Sequence, residues 1–227
     1  MNFKHTIVFI APLLCMSGCQ VQTASRVVEL ADNLFKLLNS FAEASKNHQE
    51  SVNQSTQKAK GGLEPQESSF PIPIPGITSS GEVNLVGIAD EWEKNMQTML
   101  SRTSEMTSKL NDVKSSSDKY WSKIEEITGE IKNPEIQLRE REKNKKLKIE
   151  WDVNYGKAES QVNRAVLLNT KAQDLHKVMT LSSMRQKIST QMNQLQDISN
   201  EADNIFREIK EVTQKGQEII RKQEPKS

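Results

Sequence analysis

Two thiols and three imidazoles are the side chains of this 227-residue protein best suited to chemistry at a single atom. Cys15 and Cys19 are its only cysteines, and they lie four positions apart in "LLCMSGCQ". The histidines, His5, His48 and His176, stand far apart in the sequence. A metal ion needs three or four ligands converging on one point, so isolated histidines predict no metal site. The chain carries no HExxH, GxSxG, GxGxxG, Walker or CxxC pattern. Those spacings would put ligands, nucleophiles or phosphate-binding amides where their chemistry requires them. Carboxylates are plentiful, but they fall on polar faces of periodic stretches, where they keep a helix solvated. The expectation is a protein that is not an enzyme, with no catalytic residues and no cofactor.

The surroundings of the cysteines say more. "MNFKH" supplies one firm positive charge, Lys4. "TIVFIAPLLCM" follows as an apolar run of about ten residues, and then "SGC". A charged start, an apolar centre and small residues are the three parts of a secretory signal. The run is too short for a bilayer, whose hydrocarbon core takes about 20 apolar residues to cross. No later stretch is as long and as apolar, so no membrane-spanning helix is expected.

Met16-Ser17-Gly18-Cys19 resembles the lipobox of bacterial lipoproteins. In proteins of that type the signal is cut between residues corresponding to Gly18 and Cys19. The cysteine thiol then carries a diacylglycerol and its amine is acylated. The resemblance covers residues 1–20 and no more. Met16 stands where leucine is usual. Gln20, rather than aspartate, follows the cysteine, which in the enterobacterial pattern favours the outer membrane. The resemblance implies lipidation at Cys19, loss of Cys15 with the signal, and a single remaining thiol. Two alternatives are an ordinary secretory signal without lipid and a Cys15–Cys19 disulfide. Several acyl chains bury many methylenes at ~0.8 kcal/mol each, which makes anchoring nearly permanent.

Composition bounds the rest. The chain is 35% hydrophobic, 27% charged and only 5% aromatic, a mixture suited to long solvated helices with narrow apolar stripes. Formal net charge is +1, and without Lys4 the acids and bases balance. A nucleic-acid binder normally carries a basic excess, so no nucleic acid is expected as a partner.

Periodicity then divides the chain. Residues 21–60 predict a helix with a stripe at Val27, Leu30, Leu34, Leu37, Phe41 and Ala44, fading at His48 and Ser51. It packs on other helices or, alternatively, lies on a membrane surface, although its polar face lacks the usual excess of Lys and Arg. Residues 61–84 hold Pro65, Pro71, Pro73 and Pro75 among glycines and serines. That composition predicts a semi-rigid, polyproline-like connector, or alternatively a docking strip. From residue 85 a second helix carries Trp92, Met96, Met99, Thr103, Met106, Leu110, Val113, Ser117, Tyr120, Ile124, Ile127 and Ile131 at alternating steps of four and three. A heptad pattern held this long predicts helix-on-helix packing.

Asn133 and Pro134 fit the cap and first turn of a third helix, over about 134–180. It opens with six Lys or Arg against four acids across 134–150, a solvated face or a contact for anionic lipid heads. "LKIEWDVNY", residues 147–155, alternates like a strand, but it also fits a helix through Leu147, Trp151, Tyr155, Ala158, Val162 and Ala165. The helix is preferred because helical spacing continues on both sides. Ser182 and Ser183 suit the cap of a fourth helix near 183–222, with a stripe at Ile188, Leu195, Ile198, Ala202, Ile205, Ile209, Val212 and Ile219. Helices two to four would each have 40–48 residues and fold back on one another.

The expected fold is therefore all-α: a long antiparallel helical bundle or coiled coil with an N-terminal amphipathic helix. Its organisation reads as a signal peptide at 1–18, an anchored helix at 19–60, a linker at 61–84, a bundle at 85–222 and a tail at 223–227. The expected function is a lipid-anchored (acylated, palmitate-bearing) cell-envelope protein with a structural or tethering role, at the outer membrane on its periplasmic or surface face. Its partners would be the membrane and another envelope protein, and a homo-oligomer is allowed. The rival readings are a membrane-active protein that perturbs or inserts into a bilayer, and a small lipid or ligand carrier.

Overall fold

The computed structural model describes residues 18–63, 85–183 and 189–223. These form four α-helices: α1 (Gly18–Leu63), α2 (Leu85–Gly129), α3 (Pro134–Ser183) and α4 (Ser189–Arg221). No strand occurs among the described residues, and the fold is the all-α antiparallel bundle expected. The expected signal segment with Cys15, the proline strip at 64–84, Ile188 and Pro225 lie outside the described residues.

Each helix packs on two neighbours, in the cyclic order α1, α2, α3, α4 and back to α1. Cross-helix pairs give the direction of each contact. Asn33 reaches Ser116, His48 meets Thr103 and Lys58 meets Glu91, so α1 and α2 run antiparallel. The same descent holds for α1 and α4 through Asn39–Gln217, Asn53–Ser199 and Lys60–Gln196. Asn144–Thr128 and Asn169–Thr103 set α3 against α2, while Glu150–Lys222 and Asn154–Val212 set α3 against α4. The result is an up-down-up-down bundle. At 1.5 Å per residue, the 46 residues of α1 make it about 70 Å long.

α2 follows its heptad pattern closely. The nine predicted positions from Trp92 to Tyr120 are buried, Ile124 packs against the edge of the core, and Ile127 and Ile131 are half-buried near the bundle end. α1 departs from expectation in a specific way. Its stripe does not fade: His48, Val52, Ser55, Thr56, Ala59 and Leu63 are all buried. Leu38 rather than Leu37, and Val52 rather than Ser51, take the innermost places. A helix that touches two neighbours buries a wider face than a two-stranded seam, so adjacent pairs such as Ala44 with Ser45 go inside together. Leu34, Phe41 and Val52 are buried in full, each stabilising the packed state by roughly 1.5–3 kcal/mol. The apolar face of α1 is thus covered by α2 and α4, the helix runs through Gly61–Leu63 of the expected linker, and the bundle draws on residues from both sides of 64–84.

α3 starts as predicted. Asn133 Oδ1 accepts hydrogen bonds from the backbone N–H groups of Glu135 and Ile136 at 3.0 and 3.2 Å, which satisfies two donors that have no partner inside the helix. Residues 147–155 are helical throughout. The strand-like alternation there has a different cause: Leu147 and Trp151 face the core, whereas Ile149 and Val153 face solvent on the opposite side. α3 runs to Ser183, so Ser182 and Ser183 belong to its last turn and do not cap α4. Leu175 and Met179 are buried, and their packing carries α3 past residue 180. The helices are accordingly unequal, with 50 residues in α3 and 33 in α4.

Candidate functional site

The predicted site residues Gly18 and Cys19 are the first described residues of α1, whose helix continues without a break to Leu63. Antiparallel packing puts this start at the same end of the bundle as the C-termini of α2 and α4 and the start of α3. That end also carries the charge run of α3. Arg139, Arg141, Lys143, Lys145, Lys146 and Lys148 are exposed there, interleaved with Glu140 and Glu142. Arg139 and Lys143 flank Glu140, and Lys148 pairs with Asp152 at 2.8 Å. Lys222 lies 2.8 Å from Glu150 and holds its carboxyl below the usual carboxylate range. Sequence placed the charge run and the cysteine more than a hundred residues apart; the fold brings them to one end.

A second polar assembly lies deep inside the bundle, where sequence reading expected a fading seam. His48 of α1, Thr103 of α2 and Asn169 of α3 are each almost fully buried. Asn169 Nδ2 donates to Thr103 Oγ1 at 2.9 Å, and Thr103 Oγ1 donates to the carbonyl of Met99 at 3.0 Å. With its one proton so engaged, the hydroxyl receives His48 Nδ1–H, 3.3 Å away, and His48 is neutral. Burial pushes its pKa down from 6.5 to about 4, against a smaller opposing contribution from the Met99 carbonyl. Ser45 Oγ, His48 Nε2 and Asn169 Oδ1 have no hydrogen-bond partner among the described residues.

Within this layer the Thr103 proton is given to the Met99 carbonyl and not to the imidazole. No group of three or more His, Cys, Asp or Glu able to hold a metal occurs among the described residues. A surface depression beside α1 is lined by Ser25, Arg26, Glu29, Leu30 and Asn33. No helix among the described residues is long and apolar enough to cross a membrane.

Other polar contacts tie the helices together, and none of them is visible as a motif. Trp92 Nε1 donates to the carbonyl of Ala172 at 2.9 Å, and Asn154 Nδ2 donates to that of Val212 at 2.8 Å. Arg164 of α3 bridges Glu201 and Glu208 of α4, each at 2.9 Å. Such pairings depend on which helix faces which, and no local spacing encodes that. No protein-family model, no curated protein and no solved structure matches this chain.

Proposed function

We propose that this chain is a lipid-anchored protein of the bacterial cell envelope, a rigid helical module with a structural or protein-interaction role and no catalytic one. Cleavage between Gly18 and Cys19 would leave Cys19 as the acylated first residue, and Gln20 favours sorting to the outer membrane. The observation that carries the reading is the lipobox-like Met16-Ser17-Gly18-Cys19; the continuity of α1 supports it, since Gly18 and Cys19 belong to the same helix that supplies Leu34, Phe41 and Val52 to the core. An acyl chain on Cys19 would therefore join the bundle with no flexible spacer. A membrane-held module meets its partners at raised local concentration, so weak contacts on its polar faces suffice.

The test is metabolic labelling with an alkyne palmitate analogue in a Gram-negative host, followed by membrane fractionation. The wild-type chain should take up label and sediment with membranes. The Cys19→Ala variant should lose the label and stay uncleaved, because the lipoprotein signal peptidase acts on the lipidated precursor. A wild-type chain that carries no label, or that is released by breaking the cells, overturns the proposal.

A further inference from the structure

We infer that the basic start of α3 contacts the anionic headgroups of the membrane that holds Cys19, a contact that rests on the anchoring proposed above and adds a second hold at the same end. The starting observation is an uneven distribution of charge along the bundle. At the end that carries Cys19, residues 18–26, 123–133, 134–148 and 215–223 hold twelve Lys or Arg against seven Asp or Glu. At the opposite end, residues 56–63, 85–95, 171–183 and 189–199 hold five of each. The excess comes mostly from α3, where six basic residues stand against two acids between Arg139 and Lys148.

Register puts this excess level with Cys19. Asn33 of α1 lies beside Ser116 of the antiparallel α2. Fourteen residues back along α1 and fourteen forward from Ser116, Cys19 comes level with Glu130. Thr128 in turn lies beside Asn144 of α3, so Glu130 is level with Glu142. At 1.5 Å per residue, Arg139 to Lys148 all stay within about 9 Å of the level of Cys19 along the bundle axis. That is close to one Debye length, so each of these cations feels the field of an anionic membrane surface at that level. Ile136 and Leu138 are exposed and stand up to about 9 Å beyond it, where apolar side chains flanked by Lys and Arg enter the interface.

Half of these cations are not engaged within the protein. Arg139 and Lys143 flank Glu140, and Lys148 pairs with Asp152. Arg141, Lys145 and Lys146 are exposed and make no ion pair among the described residues. Glu142 stands among them and lowers the net attraction. Glu135 sits in the first turn of α3, where the helix dipole offsets its charge. At about 100° per residue, Lys146 lies roughly 140° around the helix from Arg141 and 100° from Lys145. The cations therefore do not converge on one point, as a single bound anion would require. They spread over a surface, as the phosphates of a lipid leaflet do.

The test uses the full chain with Cys15→Ser and Cys19→Ser, which cannot be acylated, so its outcome does not depend on the anchor. Sedimentation with phosphatidylcholine vesicles is compared with sedimentation on vesicles that also contain phosphatidylglycerol. Each Lys or Arg near an anionic surface strengthens binding about fivefold, so the anionic lipid should raise partitioning by at least about tenfold. Raising salt to about 0.5 M should remove that gain. Arg141→Gln, Lys145→Gln and Lys146→Gln together should remove it too. Lys58→Gln, Lys94→Gln and Lys177→Gln, which lower the net charge equally at the opposite end, should keep it. The apolar run before Cys19 is common to all three chains, so their differences report α3, and helix content by circular dichroism should be the same in each. No gain with phosphatidylglycerol, a gain that survives the α3 changes, or an equal loss from both sets overturns the inference. Palmitate labelling of the wild-type chain decides the anchor separately. A labelled chain whose unacylated form ignores phosphatidylglycerol keeps the anchor and loses this contact.

Discussion

The hydroxyl of Thr103 lies 3.3 Å from Nδ1 of His48, fifty-five positions earlier in the chain, and the contact is buried inside the bundle. The other ring nitrogen of His48 is buried without a hydrogen-bond partner among the described residues. A neutral imidazole tolerates that environment better than an imidazolium, whose charge would have no carboxylate to balance it. The layer therefore joins three helices through polar contacts and makes their packing sensitive to acid.

Acid should weaken the fold through His48. Its pKa falls from 6.5 in the unfolded chain to about 4 in the folded one, so between those values the unfolded state binds more protons. The contribution is fully present above pH 6.5, declines as pH falls, and levels off below about 4. Its full size is about 3 kcal/mol at 1.36 kcal/mol per unit. Urea unfolding at pH 7.5, 5.5 and 4 should show the loss. His48→Leu should remove that part of the slope and leave the part due to carboxylates. Equal slopes in the two proteins would mean that His48 is not the group responsible.

Gly216 of α4 should resist enlargement. A Cβ there would meet Trp151 at 3.3 Å and Asn154 and Leu38 at 3.4 Å, so side chains from α1 and α3 close on the same point. Gly216→Leu is expected to cost about 1–3 kcal/mol by overpacking, read as a lower thermal midpoint. Gly61 of α1 is the contrast, with nothing within 4 Å of the built Cβ. Gly61→Ala should be neutral or stabilise by up to about 1 kcal/mol, because alanine favours the helix. A Gly216→Leu protein as stable as wild type would show that this junction is loosely packed.

Removing the α3 cap should have a measurable and reversible effect. Asn133→Ala leaves the N–H groups of Glu135 and Ile136 without their acceptor and should cost about 1 kcal/mol. Asn133→Asp, which keeps the acceptor, should recover most of that loss. The comparison is made by denaturant midpoint, and hydrogen exchange at residues 135–137 should rise in the alanine variant alone.

Much of the fold was legible because it rests on local periodicity. The α2 stripe from Trp92 to Tyr120, the cap at Asn133 and the α4 stripe from Leu195 to Ile219 depend on residues that repeat at helical spacing or adjoin one another, and all of them are found as expected among the described residues. The boundary between α3 and α4 is not legible locally, since Ser182 and Ser183 resemble caps in isolation while the burial of Leu175 and Met179 keeps the chain helical. The continuation of the α1 stripe is hidden in the sequence because His48, Ser55 and Thr56 do not look like core residues until their neighbours are known.

Sequence by itself determined that this chain forms long amphipathic helices, that its two cysteines sit at the edge of a short apolar run, and that no familiar catalytic spacing is present. Tertiary structure decided which helices are neighbours, which of two apolar faces on α3 is covered, and that His48, Thr103 and Asn169 meet. The physical reason is range. A helix reports its own amphipathicity through residues three and four apart, but the choice of partner is made by packing between side chains that lie 50 to 180 positions apart, as His48 does from Thr103 and Asn39 from Gln217.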